Sequence, residues 1–389
     1  MAFFRNDAVN LLNLHYWMHA LAMSGGGAFF FVYLLKAGAP APLVMAATAL
    51  MLAGRFVVRP LVLPAALRWG LRPLLVAGTL ICGLQYLVLG EVHGPGSMLL
   101  LLCACVSVGD AVYWTTYHAY FAALGDEEHR GHQIGAREAV SAAMGIAAPL
   151  ASGLVLTRFG PHAAFWTTAV AQSLAAIPLL FSPQVTVARE APGAFRRARL
   201  GVVLFAADGW MTMGLAVVWP MALFRSLGDS FTAFGGALAL AALAGAAASL
   251  LLGRSIDKGG GGQAVWMACG AVGCVLTLRA LSYGQPALAV FANAAGAISA
   301  ALYTPALMTA VYNQAKGSPC TVRYHMATEG GWDAGAASAC LVSALLLWLG
   351  APMSAAILMS LLGLAVNAVL LRRYYGRLGE AAVLEPAAA

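Results

Sequence analysis

Charge is what this sequence has least of. Asp, Glu, Lys and Arg supply 10% of its 389 residues, against about 25% in an ordinary soluble domain. Hydrophobic residues supply 61%, and mean hydropathy is +0.80. No water-soluble fold buries that much apolar surface, so soluble enzymes and nucleic-acid-binding modules are excluded. What remains is a polytopic membrane protein, in which the net charge of +7 reports topology and not nucleic acid. The seven cysteines form no CxxC pair, and most lie within apolar runs. They read as small buried hydrophobes and imply no disulfide framework. No GxxxxGK[ST] motif is present, so nucleotide-driven transport is not supported. No HExxH or Asp-rich diphosphate motif is present either, which weighs against a membrane-embedded metal-dependent enzyme. MAFFRNDAVN lacks the short apolar core and small-residue cleavage site of a signal peptide, so an uncleaved first span is expected.

Long apolar runs are abundant. A membrane-crossing helix needs about 20 apolar residues. Such runs fall at 12–35, 42–64, 73–91, 98–124, 134–157 and 162–181, then at 200–224, 231–252, 263–283, 287–315, 324–349 and 354–375. One long polar connection, SPQVTVAREAPGAFRRAR (182–199), divides them six and six. The expected organisation is an N-terminal six-helix bundle over 1–181, a cytoplasmic linker over 182–199, and a C-terminal six-helix bundle with a short tail over 200–389. Arg5, Arg68, Arg72, Arg130, Arg189, Arg196, Arg197, Arg199, Arg254, Lys258, Lys316, Arg323, Arg372, Arg373 and Arg377 fall on one side of the alternating spans; Lys36, Arg158 and Arg225 fall on the other. The positive-inside rule then puts both termini in the cytoplasm, with the inner (plasma) membrane of a bacterium as the expected location.

The halves echo each other. AVYWTTYHAYFAAL (111–124) ends the fourth span and ALYTPALMTAVYNQA (301–315) the tenth. Each is followed by Arg-x-His, at Arg130–His132 and Arg323–His325, and then by an acid opening the next span, Glu138 and Glu329. Duplication of a six-helix unit is a transporter pattern, and it places the substrate site at the midplane between the repeats.

Two loops carry a family resemblance. GRSIDKGGGGQA (253–264) resembles the G-x-x-x-D-[RK]-x-G signature of the major facilitator superfamily through Gly253, Asp257, Lys258 and Gly260. RPLVLPAALRWGLRP (59–73) sits at the equivalent place in the first half and resembles it through Arg59, Pro60, Arg68, Gly70 and Arg72, with Leu63 and Leu67 where Gly and Asp belong. APLASG (148–153) looks like the G-P-x-x-G-G element of the family's exporters, with Ala148 and Ser152 in place of Gly. The fourth-span arginine element of its proton-driven drug exporters is missing, and Asp110 stands in that region. The resemblance implies an all-α membrane protein of twelve transmembrane helices in two pseudo-symmetric six-helix bundles. It also implies a conformational latch among Asp257, Lys258, Arg59 and Arg68, and a central cavity lined by spans 1, 4, 7 and 10 and flanked by 5, 8 and 11.

The scarce acids mark the candidate site. Asp110, Glu138, Asp208, Glu329 and Asp333 are a third of the 15 acidic residues, and all fall within apolar spans. An ionisable group at the bilayer centre costs about 2.5–3.5 kcal/mol on insertion scales, so such groups face water or a partner. In HMATEGGWDAG (325–335), His325, Glu329 and Asp333 recur every four residues and share one helix face. Loss of water and a neighbouring acid both favour the neutral form of a carboxyl group, the behaviour a proton carrier needs. The five acids are therefore expected to couple protons, with His325 as a relay. The rival reading is a structural salt bridge from Glu329 or Asp333 to Arg279, Arg137 or Arg323. Expected substrate contacts are His15 and His19 on the first span, Trp114, Tyr117 and His118 on the fourth, Trp210 on the seventh, Asn293 and Tyr303 on the tenth, and Trp332 on the eleventh. Their aromatic character suits an organic molecule.

The expected function is proton-coupled secondary transport of a small organic solute by alternating access, in the direction of export, by a monomer that needs no cofactor or resident metal. Transport of a metal ion or chelate is the nearest alternative, through His15-x-x-x-His19. A membrane-embedded metal-dependent enzyme or a non-transporting sensor would be another class.

Overall fold

The computed structural model describes residues 6–124, 130–256 and 261–384, with backbone alone at 122, 130–139, 141, 142, 249–256, 261–264 and 377–384. Among the described residues, eleven helical stretches are long and apolar enough to cross a membrane. One of them, Ala143–Leu180, holds two spans. Gly160 inside it takes φ 82° and ψ 177°, a left-handed backbone that breaks the helix and is open to glycine.

The twelve spans are α1 (Asp7–Lys36), α2 (Ala41–Trp69), α3 (Leu71–Gly90), α4 (Ser97–Leu124), α5 (130–159), α6 (161–180), α7 (Arg199–Ser226), α8 (Phe231–Ile256), α9 (Gly261–Ser282), α10 (Pro286–Lys316), α11 (Thr321–Trp348) and α12 (Met353–Gly376). They form because each apolar run is about as long as the hydrocarbon core is thick, where an intrahelical ladder satisfies every backbone polar group. The outer surface is apolar: Val57, Leu61, Leu100, Leu341 and Leu362 are more than half exposed. Polar and charged residues such as Arg55, Arg59, His15, His19 and Asp333 are buried inside. Two spans depart from regular helix. α1 breaks at Gly25 into a 3₁₀ turn, Gly26–Phe29. α7 carries a π-helical segment, Gly214–Val218, and single-turn π segments cluster at functional sites.

The halves meet along two seams, α2 with α11 and α5 with α8. At the second seam a Cβ on Gly153 would lie 2.7 Å from the Phe231 carbonyl oxygen, and one on Gly235 would collide with the Pro149 carbonyl. The APLASG segment is thus where α5 and α8 touch backbone to backbone, as small residues allow in lipid. The polar connection lies across the end that bears the termini. Leu71 N donates to the Val185 carbonyl (2.9 Å) and Arg72 Nη1 to the Ser182 carbonyl (3.0 Å). From the other half, Arg323 on α11 donates to the carbonyls of Ala188 (3.0 Å) and Arg189 (2.7 Å).

Candidate functional site

A cavity of about 510 Å³ lies between the halves. Its walls are mainly apolar and aromatic, with Met23, Phe30, Phe31, Met51, Leu52, Phe205, Trp114 and Trp332, and its polar groups converge from both halves. α1 brings His19, α2 Arg55, α3 Gln85 and Tyr86, α4 Asp110 and His118, α6 Gln172, α7 Asp208 and Thr212, and α11 Glu329. Beyond it, toward the ends of the spans away from the termini, Phe29 of α1 packs edge-on against Phe231 and Phe234 of α8, with centroids 6.1 and 5.4 Å apart. On the side of the termini, His118 of α4 stacks on His325 of α11 at 5.7 Å. Contacts between the halves therefore lie on both sides of the cavity.

An ion cluster lies along one side and reaches the cavity through Arg55, Asp110 and Glu329. Arg55 and Arg59 are one turn apart on α2. Arg59 donates to Asp333 Oδ2 from Nη2 (2.6 Å) and Nε (3.1 Å), and from Nη1 to Thr115 Oγ1 (2.7 Å). Arg55 lies 3.1 Å from Asp333 Oδ1, 3.5 Å from Asp110 Oδ2 and 3.9 Å from Glu329 Oε2. Glu329 is also 3.8 Å from Arg59 Nη2 and 3.8 Å from His118 Nε2. The Arg55 guanidinium stands 5.4 Å from the centre of the Trp332 ring, in cation–π range. Three carboxyl groups thus share two guanidiniums. If all ionise, one negative charge is left for a proton, a protonated His118 or a bound cation.

Asp208 stands apart from this cluster. Its Oδ2 accepts from Trp332 Nε1 (3.1 Å) and its Oδ1 from the Tyr303 hydroxyl (3.2 Å). Among the described residues, no Arg or Lys lies within ion-pair distance of it.

The family model of the Major Facilitator Superfamily matches residues 14–206, and the helix order and packing of solved transporters extend across the whole chain. The chain aligns with FucP, a transporter of that superfamily solved in the outward conformation, at TM-score 0.64 and 11% identity, covering 94% of this chain and 98% of FucP. It aligns with the POT family transporter PepTSo at TM-score 0.69 and 11% identity, covering 96% and 99%. The chain belongs to the major facilitator superfamily. No curated protein matches it significantly. As a major facilitator it is a secondary transporter, working by alternating access, and not an enzyme.

The transporter brings seven of the expected site residues to its central cavity: His19, Asp110, Trp114, His118, Asp208, Glu329 and Trp332. Asp333 is fully buried in the α2–α11 seam between its two arginines, and His325 is buried behind His118. His15 and Tyr117 lie inside the N-terminal half. His15 Nδ1 donates to the Ala175 carbonyl (2.7 Å), leaving Nε2 beside the Tyr113 hydroxyl (3.0 Å), and Tyr117 packs parallel to Tyr113 at 5.8 Å. His19 uses Nδ1 on Gln172 Oε1 (2.9 Å), while its Nε2 has no hydrogen-bond partner among the described residues and can accept from a ligand. With three of their four nitrogens engaged, the two histidines are not arranged to chelate a metal. Trp210 donates to the Met359 carbonyl (2.9 Å), away from the cavity. Asn293 and Tyr303 line a second cavity inside the C-terminal half. The side chain of Glu138, together with Asp257 and Lys258, lies outside the described residues.

The salt-bridge partners differ from those expected. Arg55 and Arg59 hold Glu329 and Asp333; Arg279 lies against Trp219, and Arg323 holds the linker. The Arg137 side chain is outside the described residues. Arg59 does not join a loop charge relay either, for α2 runs ten residues beyond it, about 15 Å at the helical rise. Its place is inside the membrane, across the seam from Asp333. Arg68 is exposed at the end of α2, with its guanidinium 5.6 Å from the Trp69 ring centre. Arg55 is the residue that the sequence reading gave no role. Its signal was the i, i+4 spacing to Arg59 within an apolar span.

Proposed function

We propose that this transporter exports a small organic solute in exchange for protons. What carries the reading is the sharing of two guanidiniums by three carboxyl groups, two of which, Asp110 and Glu329, line a solute-sized cavity. Arg59 and Asp333 tie α2 to α11. Glu329 and Asp110 reach the cavity and serve as the proton-carrying pair, with His118 and His325 leading toward the termini. Asp208, unmatched by arginine, receives a cationic group of the solute, and the surrounding Phe, Met and Trp side chains take its apolar part. A cavity of 300–1,000 Å³ lined mainly by apolar groups with a few fixed polar ones suits such a molecule. The export direction rests on the APLASG segment, and cytoplasmic termini rest on the arginine-rich loops beside them. We place the protein in the inner membrane of a bacterium, acting as a monomer.

The test is proton movement in proteoliposomes carrying a pH-sensitive dye, with candidate organic cations added on one side. Substrate-dependent proton flux should be lost in Glu329→Gln and sharply reduced in Asp110→Asn, while both variants remain folded. Wild-type proton coupling in both variants would remove the assignment. Everted and right-side-out vesicles compared under the same gradient decide the direction.

A further inference from the structure

The second cavity, about 400 Å³, lies among α7, α8, α9 and α10 and adjoins the central one along Asp208, Thr212, Ala216 and Met308. Arg279 of α9 lines it. This arginine is 7% exposed and sits in an apolar span, yet among the described residues it has no carboxylate within ion-pair distance. Its Nε is buried with no acceptor among the described residues. Asp208 borders the same chamber but is held by Trp332 and Tyr303.

The surroundings are built to receive the guanidinium. It stands 4.9 Å from the centre of the Trp219 ring. That ring is fixed in turn, because Trp219 Nε1 donates to Asn293 Oδ1 (2.9 Å) and Asn293 Nδ2 to the Ala237 carbonyl (3.0 Å). On the other side Gly296 makes the room, since a Cβ there would collide with Arg279 Nη2. A guanidinium presents five donors in a planar fork that matches a carboxylate, and an uncompensated one inside a membrane is costly. Ser299 and Thr304 add hydroxyl groups, and Leu238, Val272 and Leu307 add apolar wall. The volume far exceeds a halide and fits an organic acid.

We propose that this chamber is a binding site for a small organic carboxylate, anchored by Arg279. Its occupancy does not depend on proton coupling in the central cavity.

Purified transporter in detergent, titrated with sodium acetate, butyrate or chloride at constant ionic strength, tests this by thermal shift. A ligand that binds the folded state raises the melting temperature saturably. Butyrate and acetate should do so in the wild type and in Arg225→Gln, a change at an exposed arginine. Arg279→Gln should raise the apparent dissociation constant at least tenfold. No saturable shift with any salt, or the same constant in Arg279→Gln, overturns the site; a shift with chloride alone overturns the carboxylate assignment. Should Arg279→Gln fail to fold, the wild type still decides through iodide quenching of Trp219, isolated by difference from Trp219→Phe. Butyrate should relieve that quenching, and quenching that butyrate leaves unchanged overturns the proposal.

Discussion

Asp333→Asn separates a latch from a passive salt bridge. Asp333 is fully buried, accepts two hydrogen bonds from Arg59 and lies 3.1 Å from Arg55. Both arginines belong to α2 in one half, and Asp333 to α11 in the other. Removing one partner of a buried ion pair costs about 3–5 kcal/mol, because the remaining charge is left buried. Asn retains an acceptor, and Glu329 stays within 3.8–3.9 Å of both arginines, so the low end, about 3 kcal/mol, is the fair figure. The loss falls on the state in which α2 and α11 are together, since parted helices expose the arginines to water. At about 1.4 kcal/mol per tenfold, the equilibrium moves roughly 100-fold toward the parted state. Spin labels at Arg68→Cys and Lys316→Cys, in a background without the native cysteines, read the separation of the halves at the end bearing the termini. Asp333→Asn should add a longer distance to the single one of the parent. Arg59→Met combined with Asp333→Leu should recover much of the parent distribution, because replacing both partners by apolar residues leaves no orphaned charge there. An unchanged distribution together with an unchanged melting temperature in Asp333→Asn would refute the latch.

Asp208→Asn keeps the oxygen that accepts from Trp332 and removes the charge; it should cost about 1 kcal/mol or less of stability, as a change of one hydrogen bond does, yet weaken binding of organic cations at least tenfold in equilibrium dialysis. Gly235→Leu sets a side chain against the Pro149 carbonyl of α5, and overpacking of about 1–3 kcal/mol should lower disulfide cross-linking yield between cysteines placed on α5 and α8. Arg323→Gln removes two hydrogen bonds to the linker, so limited proteolysis between residues 186 and 193 should become faster while transport persists.

The fold was largely legible because its signal is local. Each apolar run reports its own span, and the first, expected at 12–35, is the core of Asp7–Lys36. The break between the fifth and sixth spans, expected where the apolar run stops at 157 and resumes at 162, falls at Gly160. The site was legible only as faces. Helical spacing put Glu329 and Asp333 on one side of α11, and both do point toward α2. Yet one turn separates a cavity wall from a sealed seam: Glu329 reaches the cavity, while Asp333 is fully buried. Likewise the spacing of His15 and His19 was plain, but their partners Ala175 and Gln172 come from α6, more than 150 residues away. Which helix answers a polar face is a tertiary fact, and a single sequence does not contain it in any local form. That is why Glu329 and Asp333 were assigned to Arg279, Arg137 or Arg323, while Arg55 and Arg59 hold them.

Arg55 holds the physical link between protonation and movement on the proposed mechanism. It has one partner in its own half, Asp110 at 3.5 Å, and two across the seam, Asp333 at 3.1 Å and Glu329 at 3.9 Å. Neutralising Glu329 weakens the attraction across the seam and leaves the attraction within the half intact, so protonation favours the parted state. A solute cation held at Asp208, beside the Trp332 ring on which Arg55 rests, repels that guanidinium toward Asp333, which favours the closed state. Proton and solute then bias one two-state element in opposite directions. Linkage requires the converse as well: parting the halves must lower the affinity of the cavity for a cation. Exchange of one for the other follows from a single guanidinium with partners in both halves, without any direct contact between proton and solute.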